Sequence, residues 1–333
     1  MYLHEMPGFV DLQVNGFMDI DFTSINLTAD DFMTATTALV EQGTAAYCPT
    51  VVTASDDVYR HNLPLIADIM SWPENAGRFL GLHLEGPFLS PQPGARGVHD
   101  ENCIRQPSID YFKWMYDLAA GNVSILTIAP EEPGAIELIE YAVSLGVVVS
   151  MGHHIAEDSF IDAAISAGAK ACTHIGNGLP NMIPRHNNPL WKQLSDDRLW
   201  GMFITDGHHL PVPLIKTALR TKGLDRFVVT SDAAALAGMP VGVYGSFGKE
   251  VEVEASGRIF CPETGSLSGS HSTMMECINF LASLNILTWD ELIRVGLHNP
   301  LELIGRSVDD ITQVPDGIDY TDNQFKVNKL SVV

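Results

Sequence analysis

The chain has 333 residues, of which 46% are apolar, and it carries a formal net charge of −22. Its length exceeds the roughly 250 residues of a typical (β/α)8 barrel, so one large domain with an insertion or appendage fits better than two equal domains. The strong acidity disfavours nucleic acid and anionic membranes as partners. Any site for an anionic ligand would therefore have to be built locally.

Two features of the sequence indicate a cytoplasmic protein. The five cysteines are scattered and include no C-x-x-C pair, which argues for reduced thiols. Residues 1–9 lack the basic and apolar regions of a signal peptide, and no apolar run approaches the ~18 residues of a membrane span. We therefore expect a cytoplasmic location and no membrane partner.

In chain order, short β-branched or apolar runs alternate with amphipathic stretches. This alternation predicts parallel strands joined by right-handed helical crossovers, and eight such strands suggest closure into a barrel. The ends of the predicted strands lie at residues 11–15, 45–49, 79–85, 124–129, 147–153, 170–174, 200–205 and 227–232. The predicted helices between them are 28–42, 58–70, 109–119, 134–145, 158–167 and 212–221.

One segment interrupts the alternation. Residues 238–269 contain several glycines and an alternating stretch from Lys249 to Glu254, which predicts a β-hairpin insertion before the last helices at 270–284 and 289–297. We expect residues 7–305 to form the barrel with this insertion. Residues 306–333 are expected to form a C-terminal tail with weak strand character.

Several polar side chains fall at the C-terminal ends of the predicted strands. In a (β/α)8 barrel these ends converge on one face, where active sites are built. Residues far apart in the sequence thereby become neighbours without any local spacing motif. The residues are Gln13, Asn15, Glu85, His153, His174 and Asp232.

Glu85, His153 and His174 predict a metal site. Two imidazoles and one carboxylate suit zinc or a similar divalent ion and leave a coordination position for water. A single histidine at a strand end is more often a hydrogen-bonded polar residue than a ligand. Glu85, however, ends an apolar strand, where burial of a carboxylate costs free energy unless the group is paired. Asp232 on the same face suits a general base. The combination favours metal-dependent hydrolysis of an amide or ester.

Sequence motifs run in a consistent order from residue 7 to residue 305. They include Pro-Gly-Phe-x-Asp (residues 7–11), His-Leu-Glu-Gly-Pro (83–87), Met-Gly-His (151–153), Asp-Gly-His-His (206–209) and Leu-Ser-Gly-Ser (267–270). By these motifs the chain resembles the N-acetylglucosamine-6-phosphate deacetylases of the amidohydrolase superfamily. His-Leu-Glu-Gly-Pro is the most specific of them, since the opening motif alone would indicate only the superfamily.

The resemblance implies a role for individual residues. Glu85, His153 and His174 match the metal ligands, Asp232 matches the catalytic aspartate, and His209 matches a histidine that contacts the substrate near its reacting carbonyl. The positions that match sugar-binding residues are His99, Asn177, Gly178, Leu267, Ser268 and Gly269.

Arg185 lies where the family places a phosphate-binding arginine, which in related enzymes reaches in from the neighbouring subunit. A guanidinium suits phosphate geometry, although an arginine without this context would be interpreted as a solvated charge. The resemblance therefore implies a homodimer that binds a small amino-sugar phosphate.

Gln13 and Asn15 bear on the number of metal ions. Many amidohydrolases carry His-x-His at these positions, which supplies ligands to a second metal. Because amides are poor ligands for first-row metals, we expect one divalent ion per chain. Zinc is the expected ion, and Fe²⁺, Co²⁺ and Mn²⁺ are the alternatives that this ligand set also accepts.

The sequence also departs from the family's usual pattern. Its members usually carry a small β-sandwich built from residues before the Pro-Gly-Phe motif and from a C-terminal segment. Because the motif begins here at Pro7, we expect that sandwich to be truncated or absent. The loop at residues 90–96 also differs from the expected forms, which leaves the choice of substrate open.

The expected reaction is hydrolysis of the N-acetyl amide of N-acetylglucosamine-6-phosphate to glucosamine-6-phosphate and acetate. Two alternatives remain: deacetylation of another N-acyl amino sugar such as N-acetylgalactosamine-6-phosphate, and a non-catalytic barrel. The complete set of ligands together with Asp232 argues against the non-catalytic barrel, because burying such polar residues costs free energy. Chemistry that uses a carboxylated lysine is less favoured, because Lys170 begins its predicted strand rather than ending it.

Overall fold

A parallel barrel sheet forms the centre of the computed structural model, which describes residues 6–246, 249–263 and 265–328. Eight parallel strands are hydrogen-bonded in chain order. The expected (β/α)8 barrel is therefore confirmed. The strands are β1 (Phe9–Val14), β2 (Thr44–Val52), β3 (Leu82–Glu85), β4 (Val123–Ile128), β5 (Val148–Met151), β6 (Ala171–Cys172), β7 (Trp200–Ile204) and β8 (Phe227–Thr230).

Amphipathic helices cover the outside of this sheet, and the six that were predicted between the strands agree with it within about two residues, the usual uncertainty of a helix end. Of the two helices predicted after the insertion, the one at 270–284 begins instead at Met274, after the cap at Thr273, and the one at 289–297 ends as an α-helix at Ile293. The short helix at 189–195 was not predicted; Pro189 begins it, and the side chain of Asn188 caps it. The helices are α1 (Ala29–Glu41), α2 (Asp56–Met70), α3 (Ile109–Leu118), α4 (Ala135–Ser144), α5 (Asp158–Ser166), α6 (Pro189–Ser195), α7 (Val212–Lys222), α8 (Met274–Ser283), α9 (Trp289–Ile293) and α10 (Asn299–Leu303).

The barrel closes between β8 and β1, where a side chain supplements the backbone pairing. In the described residues the backbone pairing there is a single bridge between Val14, the last residue of β1, and Ala233, three residues after the end of β8. The fully buried carboxylate of Asp11 accepts hydrogen bonds from the Thr230 hydroxyl at 2.7 Å and from the Ser231 backbone N–H at 3.1 Å. The Ser231 hydroxyl also donates to it. Asp11 therefore fastens the start of the barrel to the segment that carries Asp232.

The described residues between 242 and 267 form a separate antiparallel sheet of four strands where the sequence predicted a hairpin. Val251, Val253 and Ile259 are buried in its own small apolar cluster together with Leu236. Its last strand leads directly into residues 268–270. The strands are Gly242–Ser246, Lys249–Val253, Ile259–Cys261 and Ser266–Leu267.

The described part of the C-terminal tail contains a two-stranded hairpin, Ile318–Thr321 and Gln324–Val327. It packs against the barrel through Phe325, whose ring lies 5.0 Å from that of Phe9 in an edge-on arrangement. Asn279 on α8 donates a hydrogen bond to the Phe325 carbonyl. None of the described helices is long and apolar enough to cross a membrane.

Candidate active site

A cleft of about 380 Å³ opens at the C-terminal ends of the barrel strands. It brings together most of the residues that the sequence singled out. Gln13 is fully buried in the barrel interior, and Arg185 is exposed and does not line the cleft. The predicted residues that line it are Asn15, Glu85, His99, His153, His174, Asn177, Gly178, His209, Asp232, Leu267, Ser268 and Gly269.

Glu85, His153 and His174 point their ligand atoms at one another. His174 Nε2 lies 3.0 Å from Glu85 Oε1 and 3.0 Å from His153 Nε2. His153 Nε2 lies 3.3 Å from the same carboxylate oxygen. Burial alone would raise the pKa of Glu85, but the two histidines beside it outweigh burial and hold that pKa well below its usual range. The carboxylate is therefore anionic.

The orientation of His153 suits a metal ligand. Its Nδ1 lies 2.8 Å from the Ala95 carbonyl and must donate to it, which leaves the lone pair on Nε2 facing the cleft. A backbone carbonyl in this position is a common partner of metal-binding histidines. Gly97 and Gly178 pack against the ring so closely that a Cβ at Gly178 would lie 2.9 Å from Nδ1. The glycine at 178 therefore makes room for the imidazole.

Three of these residues have unusual backbone conformations. His153, His174 and Asp232 have φ values of 52°, 30° and 52°, in the left-handed region that non-glycine residues rarely occupy. Each lies just past the end of its strand, because β5, β6 and β8 end two residues earlier. Strain of this kind costs about 1–3 kcal/mol per residue and concentrates at functional sites.

Asp232 stands opposite the histidines and is held by two amides. Gln13 Nε2 donates to Asp232 Oδ1 and to Glu85 Oε1, both at 2.9 Å, and Asn15 Nδ2 donates to Asp232 Oδ1 at 2.7 Å. The reverse amide orientation would place oxygens against carboxylates, so the donor assignment follows from charge. Gln13 and Asn15 thus act as hydrogen-bond donors here.

Burial, followed by the negative charge of Glu85, raises the pKa of Asp232 to about 7. Nearby His174 and His209 and the hydrogen bond from Asn15 oppose that rise. A carboxyl group with a pKa near neutrality can both accept and release a proton at physiological pH, which general acid–base catalysis requires.

His209 is oriented by Asp206, which the sequence analysis did not single out. His209 Nδ1 lies 2.7 Å from Asp206 Oδ2, and the Ser270 hydroxyl donates to the same oxygen at 2.9 Å. The backbone N–H groups of His208 and His209 donate to Asp206 Oδ1. Burial raises the pKa of Asp206, but the hydrogen bonds and charge of His209 lower it further than burial raises it. Asp206 follows the end of β7 by two residues, as Asp232 follows β8, so the rule that found Asp232 also applies to it.

His99 lies against the ligand cluster rather than apart from it. Its Nε2 is 3.3 Å from His153 Nε2 and 4.0 Å from Glu85 Oε2. Ligand atoms of Glu85, His99 and His153 all lie within 4.8 Å of one another. Burial, and then the charge of His153, lower the pKa of His99 to about 3, so the ring is neutral and able to offer a lone pair.

Two further histidines have structural partners. His83 is buried below the cleft, with Nδ1 2.9 Å from the Leu12 carbonyl and Nε2 2.7 Å from the Thr127 hydroxyl. His154 Nδ1 accepts from the Ala156 N–H, and its Nε2 lies 2.7 Å from the Gln193 side chain. Neither residue lines the cleft.

The chain is similar in sequence to N-acetylglucosamine-6-phosphate deacetylases. It is 34% identical over 318 residues to that of Bos taurus and 32% identical over 316 residues to that of Caenorhabditis elegans. Each alignment covers 90% of this chain and 74% of the relative. No family model matches the chain.

Solved structures with the same name share the fold. A variant of the Mycobacterium smegmatis deacetylase, in complex with N-acetyl-D-glucosamine-6-phosphate, superposes with a TM-score of 0.83 at 28% identity, covering 93% of this chain and 80% of that one. The Pasteurella multocida deacetylase superposes with a TM-score of 0.83 at 27% identity, covering 97% of this chain and 84% of that one. The likeness thus extends over the whole barrel.

Proposed function

The chain belongs to the N-acetylglucosamine-6-phosphate deacetylase family, and we propose that it hydrolyses the N-acetyl amide of N-acetylglucosamine-6-phosphate to glucosamine-6-phosphate and acetate. The observation that carries this proposal is the convergence of Glu85, His153 and His174 on one point, opposite Asp232. The expected amidohydrolase chemistry needs both parts, a metal-binding cluster and a facing general base.

The residues present fit one divalent metal ion. Two imidazole nitrogens and a carboxylate oxygen form a donor set typical of zinc, iron, cobalt or manganese sites, and we propose zinc as the resident ion. Such an ion would supply Lewis acidity, which lowers the pKa of water and polarises a carbonyl. Gln13 and Asn15 point N–H groups at Asp232, and their amide oxygens are poor ligands for first-row metals, which supports a single site.

The side chains of the cleft can divide the hydrolysis between them. Because Oδ1 of Asp232 already accepts from both amides, its Oδ2 remains to take the proton from the attacking water. The same carboxyl group then gives that proton to the departing nitrogen. His209, fixed through Nδ1 by Asp206, has Nε2 left to meet the acetyl oxygen, where charge develops as the water adds.

We propose that the sugar lies across His99, the backbone at Asn177 and Gly178, and residues 267–269, all of which line the cleft. Gly178 and Gly269 have φ values of 62° and 71°, and a Cβ at Gly269 would lie 2.8 Å from that of Ala234. Glycine at these two positions therefore keeps the rim open for a ligand to approach the backbone.

We further propose that the phosphate is bound by Arg185 of a second subunit in a homodimer. Arg185 is exposed and lies outside its own cleft, so it is available to another chain. Two large apolar side chains on the same segment, Met182 and Trp191, are 90% and 50% exposed. The Trp191 indole donates to the Arg185 carbonyl. Exposed apolar groups next to a cation support this face as the subunit contact.

The direct test is acetate release from N-acetylglucosamine-6-phosphate, with metal content measured on the same sample. Turnover with about one equivalent of metal per chain, as a mononuclear site of two imidazoles and one carboxylate requires, supports the proposal. If the protein binds metal and hydrolyses N-acetylgalactosamine-6-phosphate but not this sugar, the proposed substrate is wrong and the proposed amide hydrolysis stands. If the chain neither binds metal nor releases acetate, the proposal is overturned in favour of a non-catalytic barrel.

A further inference from the structure

His99 has a more specific relation to the metal ligands than the sugar contact proposed above requires. Its side chain is only 3% exposed, and its Nε2 points at His153 Nε2 across 3.3 Å. The two rings meet nearly perpendicularly, with centroids 4.4 Å apart. The other ring nitrogen, Nδ1, is buried without a hydrogen-bond partner. All the polar contacts of this ring in the described residues therefore lie on the side of the ligand cluster.

A hydrogen bond does not account for this arrangement. His153 Nδ1 donates to the Ala95 carbonyl, so His153 Nε2 has one lone pair and no hydrogen. Both His99 Nε2 and His174 Nε2 approach that lone pair, at 3.3 and 3.0 Å. His99 can donate to it while His174 donates to Glu85 Oε1 at 3.0 Å, but the same lone pair also lies 3.3 Å from that carboxylate oxygen, so that two acceptors face each other. A cation between the nitrogens would satisfy all of their lone pairs together.

The spacing also fits shared ligation. Bonds of about 2.0–2.1 Å from zinc to histidine place two tetrahedral ligand atoms about 3.3 Å apart. The separation between His99 and His153 is 3.3 Å, as is that between His153 and Glu85. The pairs that involve His174 are 3.0 Å apart. His99 thus stands in the same relation to His153 as the proposed ligand Glu85 does.

His99 differs from those ligands in the segment that carries it. Glu85 ends a barrel strand, and His153 and His174 follow strands by two residues. His99 lies within residues 86–108, a described loop that contains neither helix nor strand. Its local support is a turn in which its N–H donates to the Arg96 carbonyl. A ligand on such a loop can leave and return at lower cost than one fixed to the barrel.

We propose that His99 is a fourth, exchangeable metal ligand that caps the centre in the resting protein and moves to the sugar when the substrate enters. This inference rests on the metal site of the proposed function. Four protein ligands make a closed site, whereas catalysis needs an open position. Release of His99 would create that position only when a substrate is present to receive the imidazole, which restrains hydrolytic chemistry in the empty cleft.

The test uses the full chain loaded with Co²⁺, whose visible absorption is stronger with four ligands than with five or six. We expect strong absorption from the unaltered protein and a marked loss in the His99→Ala variant, together with at least tenfold weaker Zn²⁺ binding in competition with a chelator. The matched control is Gln92→Ala, an exposed position on the same loop, which should change neither quantity.

A second measurement needs no substitution of His99. X-ray absorption of the Zn²⁺-loaded protein should count three imidazoles at rest, and two when N-acetylglucosamine-6-phosphate is added to the slowly reacting Asp232→Asn variant. Two imidazoles at rest, with a His99→Ala spectrum like that of the unaltered protein, would overturn the inference and leave His99 as a sugar contact. Failure of the unaltered chain to bind Co²⁺ or Zn²⁺ would instead overturn the proposed metal site as well.

Discussion

The imidazole of His209 donates from Nδ1 to the carboxylate of Asp206 across 2.7 Å, and both side chains are almost fully buried. This contact leaves Nε2 as the ring atom that can meet a ligand in the cleft. Asp206 also accepts from Ser270, whose backbone N–H donates to the Asp232 carbonyl. The carboxylate therefore links the histidine that faces the substrate to the loop that carries the general base.

Replacing Asp206 by Asn should lower kcat without a comparable change in KM. A hydrogen bond to a charged group contributes about 1.5–3 kcal/mol, which corresponds to a loss of roughly 10- to 150-fold in rate. Steady-state kinetics on N-acetylglucosamine-6-phosphate provide the measurement. Ser270→Ala removes one neutral donor to the same oxygen and should have a smaller effect; an Asp206→Asn variant with unaltered kcat would contradict the positioning role.

Replacing Asp232 by Asn should abolish the proton transfers while the metal stays bound. General acid–base catalysis contributes about 10²–10⁴ to the rate, so kcat should fall by at least 100-fold. Because Asn keeps the size of the side chain and an oxygen that can accept from the two amides, Glu85 and the histidines should still bind one ion. Acetate release and metal analysis on the same preparation check both parts, and normal turnover would exclude Asp232 as the base.

Replacing Arg185 by Ala should affect only phosphorylated substrates. Loss of a charge-assisted contact to phosphate costs about 1.5–3 kcal/mol, or roughly 10- to 150-fold in kcat/KM. The comparison is kcat/KM for N-acetylglucosamine-6-phosphate against the unphosphorylated sugar, with sedimentation to establish whether the chain is a dimer. Equal losses on both sugars, or full activity of a monomer, would contradict phosphate binding by a second subunit.

Replacing Asp11 by Ala should destabilise the closure of the barrel. The change leaves the Ser231 N–H and the hydroxyls of Thr230 and Ser231 without their acceptor. Buried polar groups without partners cost about 1–3 kcal/mol each, so the loss of three acceptor contacts should lower the free energy of unfolding by at least about 3 kcal/mol. Denaturant unfolding measures it, and Thr230→Val, which removes a single donor, is the milder comparison. A change below about 0.5 kcal/mol, as at ordinary surface positions, would contradict the role.

Glu131 should make stability depend on pH. Burial raises its pKa from 4.5 to about 7, so the folded state binds its proton more tightly than the unfolded state does. The stability that this adds is fully present below pH 4.5 and is lost as the pH rises through 7. Glu131→Gln keeps an acceptor for the Ile155 N–H and should match the parent near pH 4.5.

At pH 8 the Glu131→Gln variant should be more stable than the parent, by about 1–3 kcal/mol. Denaturant unfolding at the two pH values measures the difference. Glu157→Gln, which makes the same substitution at an exposed position, is the matched control. If the Glu131→Gln variant and the parent have the same free energy of unfolding at every pH, the predicted rise in the pKa of Glu131 is wrong.

The alternation of apolar runs and amphipathic stretches was enough to predict the barrel, because parallel strands joined by helices have few ways to bury their apolar faces. The same pattern placed Glu85, His153, His174 and Asp232 on one face, since the C-terminal ends of barrel strands converge. The resemblance to a family then added His209 and the residues at the rim of the cleft. For these residues the position in the strand–helix alternation, or in a motif, was sufficient.

Only the tertiary structure decided which of these side chains contact one another. Gln13 and Asp232 are 219 residues apart, and Asp206 and Ser270 are 64 apart, so no local pattern records their hydrogen bonds. The direction of the amides, the closure by Asp11 and the approach of His99 to His153 depend on strand register and on loop conformation. These are set by the packing of the whole chain. The sequence by itself therefore determined the fold and the kinds of chemical group at the site, and the three-dimensional packing determined their partners.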